Sequence, residues 1–281
     1  MFRKIAKKIL TKSPKTYTAI HQANFQRKHK QNFSTLNEQE KKILLEINKN
    51  GYMVINDFLN KEICDACVKD MDWMFENKKE FVHSTDYADH RIFGAEDLSK
   101  NIDEFASNLL LKKLANAYNG TPTSNGFTLA GKIQTTGHEY GSGGSWHRDS
   151  YFRQFKSLVY LTDVSDDNGP FQVILGSHDK KNISNDSKSA NLESMQCQFD
   201  QKTVEKILKS EPERLKTLTA KAGTVVLVDT STIHRGLPLN NGIRYALTNY
   251  FFENSQINSH LVDHFSPLVS PEKVLKMRQT I

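Results

Sequence analysis

Two periodicities divide the chain. Over 38–50, Ile43, Leu44 and Ile47 recur at the spacing of one helix face, and the pattern stops at Gly51, a residue suited to a helix C-terminus. Residues 52–58 alternate like a strand. Helical spacing returns over 60–77 and 97–118, the second ending in Asn119-Gly120. The stretch between these two helices is polar, with His83, Asp86, Asp89, His90 and Arg91, and predicts a loop. After Thr121 the pattern changes to short runs at 127–134, 146–151, 155–162, 171–175, 215–219, 224–228 and 243–252. Turn residues separate them, among them Asp167-Asn168-Gly169-Pro170, Gly176-Ser177, Ala222-Gly223 and Asn240-Asn241-Gly242. Residues 180–191 are polar without a period and predict a further loop. Many short strands with regular turns predict a mainly β sandwich or jelly roll with flanking helices. We divide the chain into a basic arm, 1–37, and a single domain, 38–281: helices over 38–120, a β core over about 121–253, and a C-terminal tail.

Charge changes the picture at the N-terminus. The net charge is +6, yet nine Lys or Arg and no acid precede Glu38, which leaves about −3 on everything after the arm. The folded part therefore lacks the net positive charge expected of a nucleic-acid binder. Phe2, Ile5, Ile9 and Leu10, interleaved with Arg3, Lys4, Lys7, Lys8 and Lys12, predict a short amphipathic helix stopped near Pro14. Residues 1–15 are thus suited either to peripheral contact with an anionic membrane or to lying as a solvated helix against the domain. No run approaches the roughly 18 apolar residues of a membrane span, and no secretory signal is visible. With three cysteines, of which Cys64 and Cys67 read as two small helix residues, a reducing, cytoplasmic setting is expected, with the inner membrane face as the place a basic arm would dock.

The chemistry concentrates in Ser145-Trp146-His147-Arg148-Asp149-Ser150-Tyr151. Residues two apart on a strand share a face, so His147 and Asp149 project together, while Trp146 and Arg148 face away. His234, just beyond the apolar run Val225-Val226-Leu227-Val228, supplies a remote second imidazole. Two histidines and one carboxylate form the facial set that holds Fe(II) and leaves positions open. Arg244 lies in an otherwise apolar or aromatic strand; a buried guanidinium there demands an anion, and it grips a carboxylate through parallel hydrogen bonds. Ala246 on the same face leaves room. Lys132 and Gln134 share one face of the strand before the glycine-rich 136–144, which reads as a lid over the site. His138 in that stretch, with Arg153 and Gln154 after the HxD strand, are candidate substrate contacts. His178, after a turn, reads as structural.

These segments resemble the phytanoyl-CoA dioxygenase family of Fe(II)/2-oxoglutarate-dependent oxygenases. The likeness rests on Gly144 to Ser150, Asp167-Asn168-Gly169-Pro170-Phe171, Gly176-Ser177-His178, His234-Arg235-Gly236, Arg244 and the entry strand Tyr52-Met53-Val54-Ile55, and it runs from about residue 50 to 252. The resemblance implies a double-stranded β-helix (jelly roll, cupin-like), iron on His147, Asp149 and His234, and Arg244 against the distal carboxylate of 2-oxoglutarate. It also implies consumption of O2 and release of succinate and CO2. Some members place a hydroxyl two residues after the distal histidine; here that position is Gly236, which directs attention to Thr248 or a water as the second partner. Asp149 is present, so hydroxylation is expected rather than halogenation. The substrate expected is a small or lipid- or sugar-conjugated metabolite. The alternatives are a metal-binding jelly roll that acts as sensor or scaffold, and a cupin-like metal enzyme that consumes no O2.

Overall fold

The computed structural model describes residues 14–85, 88–135 and 144–279. The amphipathic pattern of residues 2–12, His138 and most of the 136–144 lid lie outside these. The first described element is a helix, α1 (Pro14–Lys28); α2 (Glu38–Asn50) follows, then strand β1 (Tyr52–Ile55), α3 (Lys61–Asn77) and a hairpin of β2 (Val82–Thr85) and β3 (Asp89–Phe93). Two more helices, α4 (Lys100–Ala106) and α5 (Leu109–Asn119), lead into the long strand β4 (Thr123–Gln134). The core continues through β5 (Trp146–His147), β6 (Phe155–Tyr160), β7 (Phe171–Ile174), α6 (Lys180–Ser189), β8 (Gln198–Phe199) and α7 (Gln201–Leu208). It closes with β9 (Leu215–Leu218), β10 (Val225–Asp229), β11 (His234–Gly236) and β12 (Ile243–Glu253), before two terminal helices, α8 (Ser259–Phe265) and α9 (Pro271–Arg278).

The strands form two antiparallel sheets, a seven-stranded one in the order β1-β10-β6-β12-β4-β3-β2 and a five-stranded one in the order β8-β5-β11-β7-β9. This is a jelly roll with flanking helices. On the outer face of the larger sheet, Ile43, Leu44 and Ile47 of α2, Met71 and Met74 of α3 and Leu114 of α5 pack against Val159, Val225 and Leu247. On its inner face Tyr160, Val226, Val228 and Ala246 meet Val173 and Leu218 of the smaller sheet. The larger sheet is therefore buried on both faces, which is why β10 reads as an unbroken apolar run.

Three expectations are corrected. The polar stretch 83–91 is no loop: β2 and β3 add a hairpin to the edge of the larger sheet, with Asp89 and Arg91 turned inward as an ion pair. Alternation is present there, but its inward residues are charged. Residues 180–189 are helical, capped by the Asp179 carboxylate on the Lys181 N–H, with only Ile183 and Asp186 buried along it. The apolar signal was too thin to show a period. Pro14 opens α1, since a missing N–H costs nothing in the first turn. The strand expected over 146–151 pairs only at Trp146 and His147, because the next N–H groups turn to different neighbours, Arg148 to Cys197 O and Asp149 to Thr230 O.

The described part of the basic arm is docked. Phe25 stacks on Phe152 with ring centroids 4.8 Å apart, His29 Nε2 lies 2.9 Å from the Glu253 carboxylate, and the Arg153 guanidinium donates to His29 O and Tyr118 O. Among the described residues no helix is long and apolar enough to cross a membrane. Cys64 and Cys67 are buried on α3, and burial pushes the Cys67 thiol up to about 12, which makes it inert at neutral pH.

Candidate iron and co-substrate site

The site is aimed by the turn after β10. Asp229 is buried, and its carboxylate accepts from the Tyr118 hydroxyl at 2.7 Å, from the Ser231 hydroxyl at 2.7 Å and from the Ser231 and Gln154 N–H groups. Gly51, at φ 89°, closes α2 and passes its carbonyl to the Asp229 N–H at 2.9 Å; a Cβ there would collide with the Thr232 hydroxyl. The Ile233 N–H then donates to Ser177 Oγ at 2.7 Å. The turn is thus fixed at each residue before His234.

His234 and His147 are direct cross-strand partners of β11 and β5, with ring centroids 4.4 Å apart. Each ring donates its Nδ1–H to a backbone carbonyl two residues back, His147 to Ser145 O at 2.7 Å and His234 to Thr232 O at 2.8 Å. That bond fixes the tautomer and leaves both Nε2 lone pairs facing the cavity. The Asp149 carboxylate meets them, with Oδ1 3.7 Å from His147 Nε2 and Oδ2 3.8 Å from His234 Nε2. The three donors lie within 4.8 Å of one another, a spacing one ion can bridge. Burial pushes the His234 imidazole down to about 4, so it is neutral and free to ligate at physiological pH. Burial would raise the Asp149 carboxyl, but the Lys156 ammonium 2.8 Å away, with His234 and His147, holds it well below the usual carboxylate range.

The facing wall belongs to the larger sheet and encloses a cavity of about 210 Å³ with the histidines. From β12 it receives Arg244, Ala246, Thr248 and Tyr250, spaced by two and so on one face. Arg244 is half-buried among Tyr160, Leu239 and the Gly169 turn, and its buried Nε lacks a hydrogen-bond partner among the described residues. Such an orphaned guanidinium nitrogen costs free energy until an anion reaches it. The residue opposite Ala246 on β4 is Gly131, where an added Cβ would meet only the Ala246 carbonyl, at 3.9 Å. Together the pair opens a notch in the wall. Beside it, Arg91 donates to both oxygens of Asp89, at 3.0 and 2.7 Å. The donor set and the berth fit Fe(II) and a dicarboxylate.

A profile of the phytanoyl-CoA dioxygenase (PhyH) family matches residues 47–246. The chain belongs to the phytanoyl-CoA dioxygenase family. This PhyH-family protein is accordingly an Fe(II)- and 2-oxoglutarate-dependent oxygenase. A search of curated proteins finds no match. Among solved structures, EctD from S. alaskensis with bound Fe is 16% identical, with a TM-score of 0.61 over 80% of this chain and 79% of that one. SnoN, a non-heme alpha ketoglutarate dependent epimerase from nogalamycin biosynthesis, is 13% identical, with a TM-score of 0.58 over 77% and 83%. HygX from Streptomyces hygroscopicus with nickel and 2-oxoglutarate bound is 15% identical, with a TM-score of 0.51 over 77% and 87%. At these identities the three share the fold.

Within the PhyH-family site, the structure brings together His147, Asp149, His234, Arg244 and Thr248, with Gln134 at the cavity rim 3.4 Å from the His90 ring. It does not bring Lys132 there. The Lys132 ammonium lies on the opposite face of β4, 2.7 Å from the Asp72 carboxylate of α3 and over the Tyr245 ring. Arg153 and Gln154 also point elsewhere, the first holding α1 to α5 and the second holding the Asp229 turn. His178 is buried and bonds Asn48 O at 3.0 Å, away from the donors. Trp146 packs outward, its Nε1–H on Gln201. Sequence reasoning missed Asp89, Arg91, Tyr250 and Lys156, the last buried beside Asp149 and 3.5 Å from the Tyr250 ring centroid. A lysine inside the apolar strand Phe155–Tyr160 was the available signal, of the same kind that exposed Arg244.

Proposed function

We propose that His147, Asp149 and His234 hold Fe(II), that Arg244 grips the distal carboxylate of 2-oxoglutarate with Thr248 beside it, and that the protein hydroxylates a small molecule lodged against the Gly131–Ala246 notch. The observation that carries this reading is the convergence of three fixed donors within 4.8 Å, opposite a guanidinium with a buried, spare nitrogen. Iron with 2-oxoglutarate and O2 would supply the oxidising power for an unactivated C–H bond, with release of succinate and CO2. The chain supplies position and charge. Lys156 keeps Asp149 ionised, the Nδ1 bonds hold both imidazoles with Nε2 toward the cavity, burial keeps His234 neutral, and Leu129, Ile133, Leu158 and Phe171 keep the cavity poor in water.

The charges of the cavity are largely matched from within, Arg91 by Asp89 and Lys156 by Asp149. This favours a neutral or amphipathic substrate, such as a sugar- or lipid-conjugated metabolite, whose hydroxyl or amide groups meet the Asp89–Arg91 pair. The nine basic residues before Glu38 favour a cytoplasmic protein held at an anionic membrane surface. Succinate formation that requires both Fe(II) and 2-oxoglutarate tests the chemistry; no succinate with any substrate, together with no 2-oxoglutarate binding by calorimetry, rejects it. Co-sedimentation with phosphatidylglycerol vesicles tests the location: full-length protein should pellet, and Lys4, Lys7, Lys8 and Lys12 all changed to Gln should abolish it. Equal pelleting removes the arm from the proposal.

A further inference from the structure

Arg148 sits between two proposed iron ligands in the chain, yet its side chain goes the other way. It is 3% exposed, and its Nη2 donates to Ser177 O at 2.9 Å. Its Nε and Nη1 have no hydrogen-bond partner among the described residues. A buried guanidinium with two orphaned nitrogens is expensive. The nearby acids do not relieve it: Asp186 is clamped by both terminal nitrogens of Arg214, and Asp229 by Tyr118 and Ser231. What Arg148 does line is a second cavity of about 200 Å³, separate from the iron cavity and roofed by α1 and α6. Two further polar atoms on this lining are buried without partners, the Tyr151 hydroxyl and Gln22 Oε1. The rest of the wall includes the apolar Ala19, Ile183 and Leu192, with Lys180 and Lys188 from α6 and one acid, the exposed Glu193.

We infer that this second cavity is a binding site for a small organic carboxylate with an aliphatic body, its carboxylate on Arg148 and its chain against Ile183 and Leu192. A guanidinium matches a carboxylate with two parallel hydrogen bonds. The Tyr151 hydroxyl has a proton to give to the same group, and Lys180 and Lys188 set the sign of the field around the cavity. A single buried cation with apolar walls selects one carboxylate on a hydrocarbon body rather than a multiply charged phosphate. Because Arg148 is carried between His147 and Asp149, an occupant would brace the ligand-bearing segment from behind, which makes the cavity an effector site rather than a second copy of the co-substrate berth.

The test uses Fe(II)-loaded full-length protein without O2, saturated with 2-oxoglutarate, and calorimetric titration with octanoate and with octanol. Octanoate should bind saturably and at least tenfold more tightly than octanol. Arg148→Met should bring octanoate down to the octanol level, and Ser187→Trp, which fills the cavity from α6, should remove both. Absence of octanoate binding, equal binding of the alcohol, or appearance of octanoate binding only when 2-oxoglutarate is left out would overturn the proposal. Should a circular-dichroism melt show Arg148→Met unfolded, Ser187→Trp decides alone: undiminished octanoate affinity in that variant overturns the site.

Discussion

The two walls of the iron cavity are built on opposite principles. The smaller sheet offers imidazole lone pairs, and each ring is oriented by backbone: carbonyls of Ser145 and Thr232 hold the imidazoles, and the cross-strand pair of His147 and His234 sets their spacing. The larger sheet offers cations, Arg244, Arg91 and Lys156, held by strand alternation and by side-chain acids. A metal needs donors fixed before it arrives. A co-substrate needs a charge that is underpaired until it arrives, and the lone Nε of Arg244 meets that need. The division assigns metal retention to one sheet and co-substrate affinity to the other, and this can be broken experimentally.

Removing a donor should have the largest effect. Changes to groups that merely orient metal ligands cost about 10- to 100-fold in affinity, so Asp149→Ala or His234→Ala should exceed that range and abolish Fe(II) binding and succinate formation together. Next is Arg244→Met. Losing one partner of a buried charged pair costs about 2–5 kcal/mol, so the KM for 2-oxoglutarate should rise on the order of a hundredfold, while Fe(II) binding measured without 2-oxoglutarate stays intact. If Arg244→Met loses iron as completely as Asp149→Ala does, the division between the sheets is wrong.

Lys156→Met probes the one cation that touches the metal side. Lys156 lowers the Asp149 carboxyl, so its removal lets protons compete at higher pH, and the acid limb of Fe(II) binding should move upward. An unmoved limb would show that Lys156 has no hold on Asp149. Stability of the metal-free protein follows with a smaller effect. His234, pushed down to about 4, and His178, also lowered by burial, are neutral when folded but bind protons near their ordinary values when unfolded. The unfolded state therefore holds more protons as pH falls below the usual histidine range near 6.5. The stability these groups contribute is complete above that range and is lost for His234 as pH falls toward about 4. Urea midpoints of the metal-free protein should decline over this window, and the decline should be shallower in His178→Gln. The smallest effect is expected of Gly131→Ala, within about 1 kcal/mol of the parent in unfolding free energy, since its methyl meets nothing nearer than 3.9 Å.

The iron side was legible because its code is short. A period of two places His147 and Asp149 together, and His234 stands beyond an unmistakable buried strand. Arg244 was legible as the one charge in an apolar run. The rest of the cationic wall was not, for a common reason: its charges neutralise each other inside the fold, so that Asp89 and Arg91 read as a polar loop in sequence. Lys132 failed differently. Its alternation was read correctly, but which face of β4 turns inward is set by what packs on each side. Asp72 and Tyr245 claim Lys132 for the outside, while Gly131 and Ile133 line the cavity. Arg153 and Gln154 were near the motif in sequence and are near it in space, yet both are committed to holding the scaffold.

The notch between Gly131 and Ala246 bears on how such a protein diversifies. Both residues belong to the longest strand pair, whose ladder is a backbone one, and an added Cβ at Gly131 meets nothing nearer than the Ala246 carbonyl at 3.9 Å. One or two methyl groups gained there would reshape the space beside the reacting centre without touching a ligand or a turn. The wall is therefore a place where new specificities can be sampled at little risk to folding, one nucleotide change at a time.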